Sequence, residues 1–142
     1  MHKFGVLLFF CGLLSKYFML NCAIIVAVES FGGAVMYKNI EKHKKLRLKD
    51  QVEYQPGQVV SKTLVQNDTV SMTIFSFDKG EEISTHAAAG DAMVTVLEGK
   101  GRFTVGGEVF ILGEGETIIM PKDIPHAVFG EEKFKMQLVV SY

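Results

Sequence analysis

From Gln51 to Ser141 the chain is a series of short β-rich runs, each closed by a turn signal. Two runs in Gln51–Val65 flank Pro56-Gly57, and Gln66-Asn67-Asp68 turns into Thr69–Phe77. Asp78-Lys79-Gly80 is a further turn, and Met93–Leu97 ends at Glu98-Gly99-Lys100-Gly101. Arg102–Val105 and Glu108–Leu112 flank Gly106-Gly107, a two-residue loop that suits a tight hairpin because glycine takes positive φ freely. Thr117–Met120, the bend Pro121–Pro125, His126–Phe129 and Lys133–Ser141 complete the series. In the last run Phe134, Met136, Leu138 and Val140 share one face, while Lys135 and Gln137 share the other. Runs of this length at this spacing predict an all-β sandwich or barrel, and no segment after Lys49 has a helical period.

The first 35 residues are different. They carry both cysteines (Cys11, Cys22), two lysines (Lys3, Lys16) and a single acid, Glu29. Residues 36–142 therefore hold 13 basic and 15 acidic groups and no cysteine, which excludes a disulfide, a thiolate zinc site and a cysteine nucleophile there. The near balance of charge argues against a nucleic-acid binder that works by bulk charge. Three readings of the apolar segment 1–35 stand open. Phe4–Leu14 has the length of a signal-peptide core, with a weak cleavage site near Val28-Glu29-Ser30. Phe4–Val28 could span a membrane, although Lys16 near its centre would cost about 2.5–3.5 kcal/mol. In the third reading the natural start is Met36, since the Gly32-Gly33 codons can spell a ribosome-binding site just before it. The protein is then cytoplasmic, and an intact mass of the natural protein that included residues 1–35 would refute this. The expected organisation is thus a non-core apolar leader, 1–35, and one domain, 36–142.

Two stretches inside that domain carry a family resemblance. Gly80 to Gly99 reads GEEISTHAAAGDAMVTVLEG, and Gly115 to Gly130 reads GETIIMPKDIPHAVFG. They resemble the two signature motifs of the cupin superfamily, G-x5-H-x-H-x3,4-E-x6-G and G-x5-P-x-G-x2-H-x3-N, with one hairpin between them. The resemblance covers roughly residues 68–141 and implies a double-stranded β-helix, the jelly-roll barrel. It says less about activity, since that fold hosts many chemistries.

In metal-binding members the first motif supplies two histidines and a glutamate, and the second supplies one histidine. Matched position by position, His86 and His126 take the outer histidine places. Ala88 stands at the second histidine place, Ala92 at the glutamate place, Asp123 at a glycine and Gly130 at the asparagine. Two of four donors are therefore replaced by methyl groups. The resemblance still implies that His86 and His126 are neighbours facing the cavity, where they could hold a divalent Zn, Fe, Mn or Ni ion. Without the motifs, two such distant histidines are ordinary hydrogen-bonded imidazoles. Asp91 could add a carboxylate only if a bulge near Ala89-Gly90 reversed the strand alternation. Glu81, Glu82 and Asp123 belong to turns and water.

Methionines in the flanking strands are first of all adaptable core filler. The functional expectation is an apolar pocket lined by Met72, Val94, Met120 and Met136, closed by Phe75, Phe77, Phe103 or Phe129 as parity allows. Such a cavity suits a small, partly hydrophobic molecule with one anionic or hydrogen-bonding group. Two functions follow. One is a barrel that binds a small molecule through the two histidines, directly or through a labile metal. The other is a metal-dependent oxygenase or isomerase acting on a small organic acid or sugar. The run Lys42–Lys49 is read as a solvated edge strand or approach segment with no nucleic-acid role. Small cupins commonly pair through N-terminal strands, so the resemblance implies a homodimer using Leu46, Leu48, Val52 and Tyr54. A membrane partner enters only if residues 1–35 are real.

Overall fold

The computed structural model describes residues 36–142; the readings of the leader lie outside the described residues. Nine strands and one turn of 3-10 helix, Leu48–Gln51, are found among the described residues. The strands are β1 Val59–Gln66, β2 Val70–Phe77, β3 Glu82–His86, β4 Asp91–Glu98 and β5 Lys100–Val105. They continue as β6 Glu108–Gly113, β7 Thr117–Met120, β8 His126–Gly130 and β9 Phe134–Ser141. Two antiparallel sheets form, ordered β1-β2-β9-β4-β7 and β3-β8-β5-β6. This is the expected jelly-roll. Among the described residues no helix is long and apolar enough to cross a membrane.

Local chemistry accounts for the turns. Asn67 Oδ1 accepts the backbone N–H groups of Thr69 and Val70, which closes the β1–β2 hairpin. Gly106 and Gly107 both have positive φ, 56° and 90°, as the tight β5–β6 hairpin requires.

The two sheets enclose one core. Phe77, Val94, Val96, Phe103, Phe134 and Met136 point into it and are essentially inaccessible. At one end of the interior Phe134 stacks on Phe77 with centroids 4.5 Å apart, and Phe103 meets it edge-on at 6.1 Å. A second apolar layer lies on the outer face of the five-stranded sheet, where Val52, Leu64 and Ile74 bury together with Leu48, Val60, Met72 and Leu97 around them.

That outer layer changes the reading of residues 42–54. They form no strand: the segment bends, makes its 3-10 turn and runs across the sheet as a strap. Of the two readings, approach segment is the right one. Val52 is 5% exposed inside the chain's own core, Leu48 packs beside it, and Tyr54 donates its hydroxyl to Glu98 at 3.0 Å. Leu48, Val52 and Tyr54, three of the four residues expected to pair with a neighbour's sheet, thus lie in no strand and pack within the molecule. The strap also explains why Lys135, on the outward face of β9, is buried. Its Nζ donates to the Lys49 carbonyl at 2.7 Å and lies 4.7 Å from the centre of the Tyr54 ring.

Candidate functional site

His86 ends β3 and His126 begins β8, and the register sets them directly opposite each other. Their rings meet edge to face with centroids 4.5 Å apart. His86 stands at the exposed rim, whereas His126 is 3% exposed. Each Nδ1 lies 2.9 Å from a carbonyl oxygen two residues earlier in the chain, Ser84 for His86 and Ile124 for His126. A carbonyl can only accept, so each Nδ1 carries the proton and donates it. In the neutral ring that leaves Nε2 with its lone pair. No described side-chain N or O atom is both buried and unpartnered, and Nε2 of His126 has no protein partner among the described residues. That nitrogen therefore opens onto free space.

The space is a hollow of about 240 Å³ between the sheets. Both histidines line it, together with Ala88, Ala92, Met120, Met136, Phe75, Ile83, Val128, Leu138 and Val140. Ser71 and Tyr142 add hydroxyls, 3.4 Å apart, on the wall. Strand alternation decides membership. On β4, Ala92 points inward and Asp91 outward, where its carboxylate accepts the Lys122 N–H at 2.8 Å. Asp91 is therefore no third donor to the histidine pair. Among the described residues no group of three or more His, Cys, Asp or Glu could hold a metal.

The expected pocket residues divide. Met120 and Met136 line the hollow. Met72 does not: on β2 it alternates with Ser71 and Phe75 and so lies on the opposite face, in the layer under the strap. Val94 does point inward, but it is fully buried in the packed core and does not line the hollow. Of the four phenylalanines only Phe75 lines the wall. Phe77 and Phe103 fill the core, and Phe129 lies outside under the Arg102 guanidinium at 4.4 Å. Ser71, Ile83, Val128, Leu138, Val140 and Tyr142 also line the hollow and are not among the residues expected there. Ser71 shares its face with Phe75 by simple alternation, but Tyr142 sits beyond the last strand, where no periodicity reaches it.

Asp123 occupies the motif's glycine place at φ 61°, a left-handed conformation that a short polar residue tolerates. Its N–H donates to the Ala88 carbonyl at 3.0 Å, which ties the β7–β8 bend to the wall beside the histidines.

The family model of the cupin domain matches residues 73–142. The chain belongs to the cupin superfamily. A solved structure of a conserved protein of unknown function from Streptococcus pyogenes is similar at 44% identity and TM-score 0.74, covering 78% of this chain and 96% of that one. A cupin superfamily protein from Desulfitobacterium hafniense is 29% identical with TM-score 0.72, over 75% of this chain and 98% of the other. A cupin 2 conserved barrel domain protein from Leptotrichia buccalis is 48% identical with TM-score 0.67; the alignment spans 68% of this chain but 47% of that protein. No curated protein matches the sequence.

Within this cupin the donor set can be tested against a resident metal. A catalytic zinc uses three protein ligands and a structural one four. The hollow supplies two imidazole nitrogens, with alanine methyl groups at positions 88 and 92. Two donors do not fit a tightly held ion. Both rings are nevertheless fixed in one tautomer by backbone carbonyls, as ligand-binding imidazoles require.

Proposed function

We propose that this cupin binds a small, partly apolar molecule in the hollow, with Nε2 of His86 and of His126 as its polar anchors. The observation that carries the reading is the pairing of two imidazoles, each with Nδ1 already occupied, on an otherwise mostly apolar wall. Two lone pairs on neighbouring rings suit a ligand with a hydroxyl or a protonated acid. The volume limits the ligand to a compact molecule, since drug-sized sites run to about 300–1,000 Å³. The apolar wall supplies affinity by burial, and the imidazoles fix orientation.

The second reading, a metal-dependent enzyme, is supported by the same juxtaposition of nitrogen donors and opposed by the two alanines. A labile ion held by both histidines lies between the two readings. One experiment separates them. Nitrogen-15 spectra of the histidine rings would be followed while small aromatic and aliphatic acids and alcohols are added, and separately with Zn²⁺ and Ni²⁺. Direct binding predicts Nε2 shifts with an organic probe in metal-free protein, lost in His86→Ala and His126→Ala. If organic probes act only after metal is added, the ion is part of the site and direct anchoring is wrong.

A further inference from the structure

The histidine anchors use only half of the hollow's polar chemistry. Each Nδ1 already donates to a carbonyl, so both Nε2 atoms offer lone pairs and no proton. Among the other lining side chains only Ser71 and Tyr142 carry a hydrogen-bond donor. They belong to the other wall. The histidines stand on β3 and β8 of the four-stranded sheet, Ser71 on β2 of the five-stranded sheet, and Tyr142 one residue past β9. Register puts Ser71 in one row with Val140 and Ala92, the level at which the motif would place its glutamate. The Tyr142 N–H donates to the Thr69 carbonyl at 3.0 Å, and its hydroxyl turns back toward Ser71. The two hydroxyl oxygens are 3.4 Å apart, whereas well-bonded hydroxyls sit about 2.7–2.8 Å apart. Both protons therefore remain free for a better acceptor. Among the described residues no Lys, Arg, Asp or Glu lines the hollow.

We propose that the ligand is an uncharged hydroxycarbonyl compound, and that Ser71 and Tyr142 select it by donating to its carbonyl oxygen. The proposal rests on the reading that both Nε2 atoms anchor the ligand. A ligand hydroxyl supplies the proton that those nitrogens need, and a carbonyl supplies the acceptor that the two wall hydroxyls lack. A carboxylate would also accept from Ser71 and Tyr142. It would, however, enter a mostly apolar space with no cation to offset its lost hydration. A plain alcohol satisfies the imidazoles and leaves both wall hydroxyls without an acceptor. The hollow thus discriminates twice, against charge and against a missing carbonyl, and the second discrimination belongs to Ser71 and Tyr142.

Three probes that share a phenyl ring test this on the metal-free full chain at about pH 8, above the ordinary imidazole range. 2-Hydroxyacetophenone has the hydroxyl and the carbonyl, 2-phenylethanol has a methylene in place of the carbonyl, and mandelate has the hydroxyl beside a carboxylate. Binding is read from the nitrogen-15 shifts of the histidine rings. The ketone should bind about tenfold tighter than the alcohol, the size expected of one or two net hydrogen bonds, and mandelate more weakly than either. Ser71→Ala combined with Tyr142→Phe should erase the preference for the ketone. Affinity for the alcohol should stay unchanged, which also shows that the variant is folded. If 2-phenylethanol moves neither Nε2, anchoring by the histidines is wrong and the proposal falls with it. If the alcohol binds but the ketone gains nothing, or keeps its gain in the double variant, the anchors stand and selection by Ser71 and Tyr142 is wrong. Mandelate binding as tightly as the alcohol would overturn the uncharged ligand. Loss of the alcohol in the double variant would make the two hydroxyls part of the wall's structure and overturn their role in selection.

Discussion

The two ends of the barrel interior are built from the same strands and differ in what fills them. At one end Phe77, Phe103 and Phe134 stack and leave no accessible surface. At the other, Ala88 and Ala92 stop short, and a hollow of about 240 Å³ opens beside the histidine pair. The aromatic end holds the sheets together. The alanine end is less filled and offers no donor atoms at positions 88 and 92. Ala88 and Ala92 thus belong both to the wall of the cavity and to the places where the motif would supply donors.

The contrast is broken most directly by changing side-chain volume at each end. Phe134→Ala empties a filled site and should cost about 3–5 kcal/mol of unfolding free energy in a denaturant titration. Ala92→Val adds methyl groups facing the hollow and should cost far less, or nothing. Equal losses for the two variants would mean that the ends are packed alike.

Restoring the motif sharpens the same comparison. Ala92→Glu alone places a carboxylate at a position 1% exposed and should destabilise the metal-free protein. Combined with Ala88→His, it completes four donors, so calorimetry should show Zn²⁺ or Ni²⁺ binding orders of magnitude tighter than in the wild type. The ion should also recover the lost melting temperature. If affinity does not rise, the two alanines do not stand where donors would converge.

The smallest expected effect concerns the strap, which lies outside the barrel and is held partly by charge. Glu98 is pulled below the ordinary glutamate value of 4.5, first by its hydrogen bond from Lys49. Asp78 is pulled below 3.8 by the N–H groups of Gly57 and Lys79. Both folded values lie below the unfolded ones, so their stabilisation is present above the ordinary carboxylate range and fades as pH falls through the depressed values. Amides of residues 48–58 should therefore lose hydrogen-exchange protection in acid before those of β4 and β9 do. Simultaneous loss would show that the strap and the barrel melt as one unit.

Much of this was legible in the chain. Turn residues at Asn67 and Gly106-Gly107 and the alternation in β9 marked strands that the fold contains, and the motif spacing anticipated His86 facing His126. Glu82–His86 was not recognised as a strand, because Ile83 is its only strongly apolar residue. Gln51–Tyr54 looked like a strand because its apolar residues alternate. It packs instead as a strap, since Val52 is buried on the sheet face and Tyr54 turns to Glu98.

By itself the sequence determined an all-β domain, because strand period, turn residues and side-chain chemistry are local properties; the barrel and the facing of His86 and His126 were legible only through the resemblance of its two motifs to the cupin superfamily. Only the tertiary structure decided which apolar residues face the hollow. The five-stranded sheet is apolar on both faces, so alternation separates Met72 from Phe75 without saying which of them looks inward. That choice belongs to whatever covers each face: the opposite sheet on one side and the strap on the other.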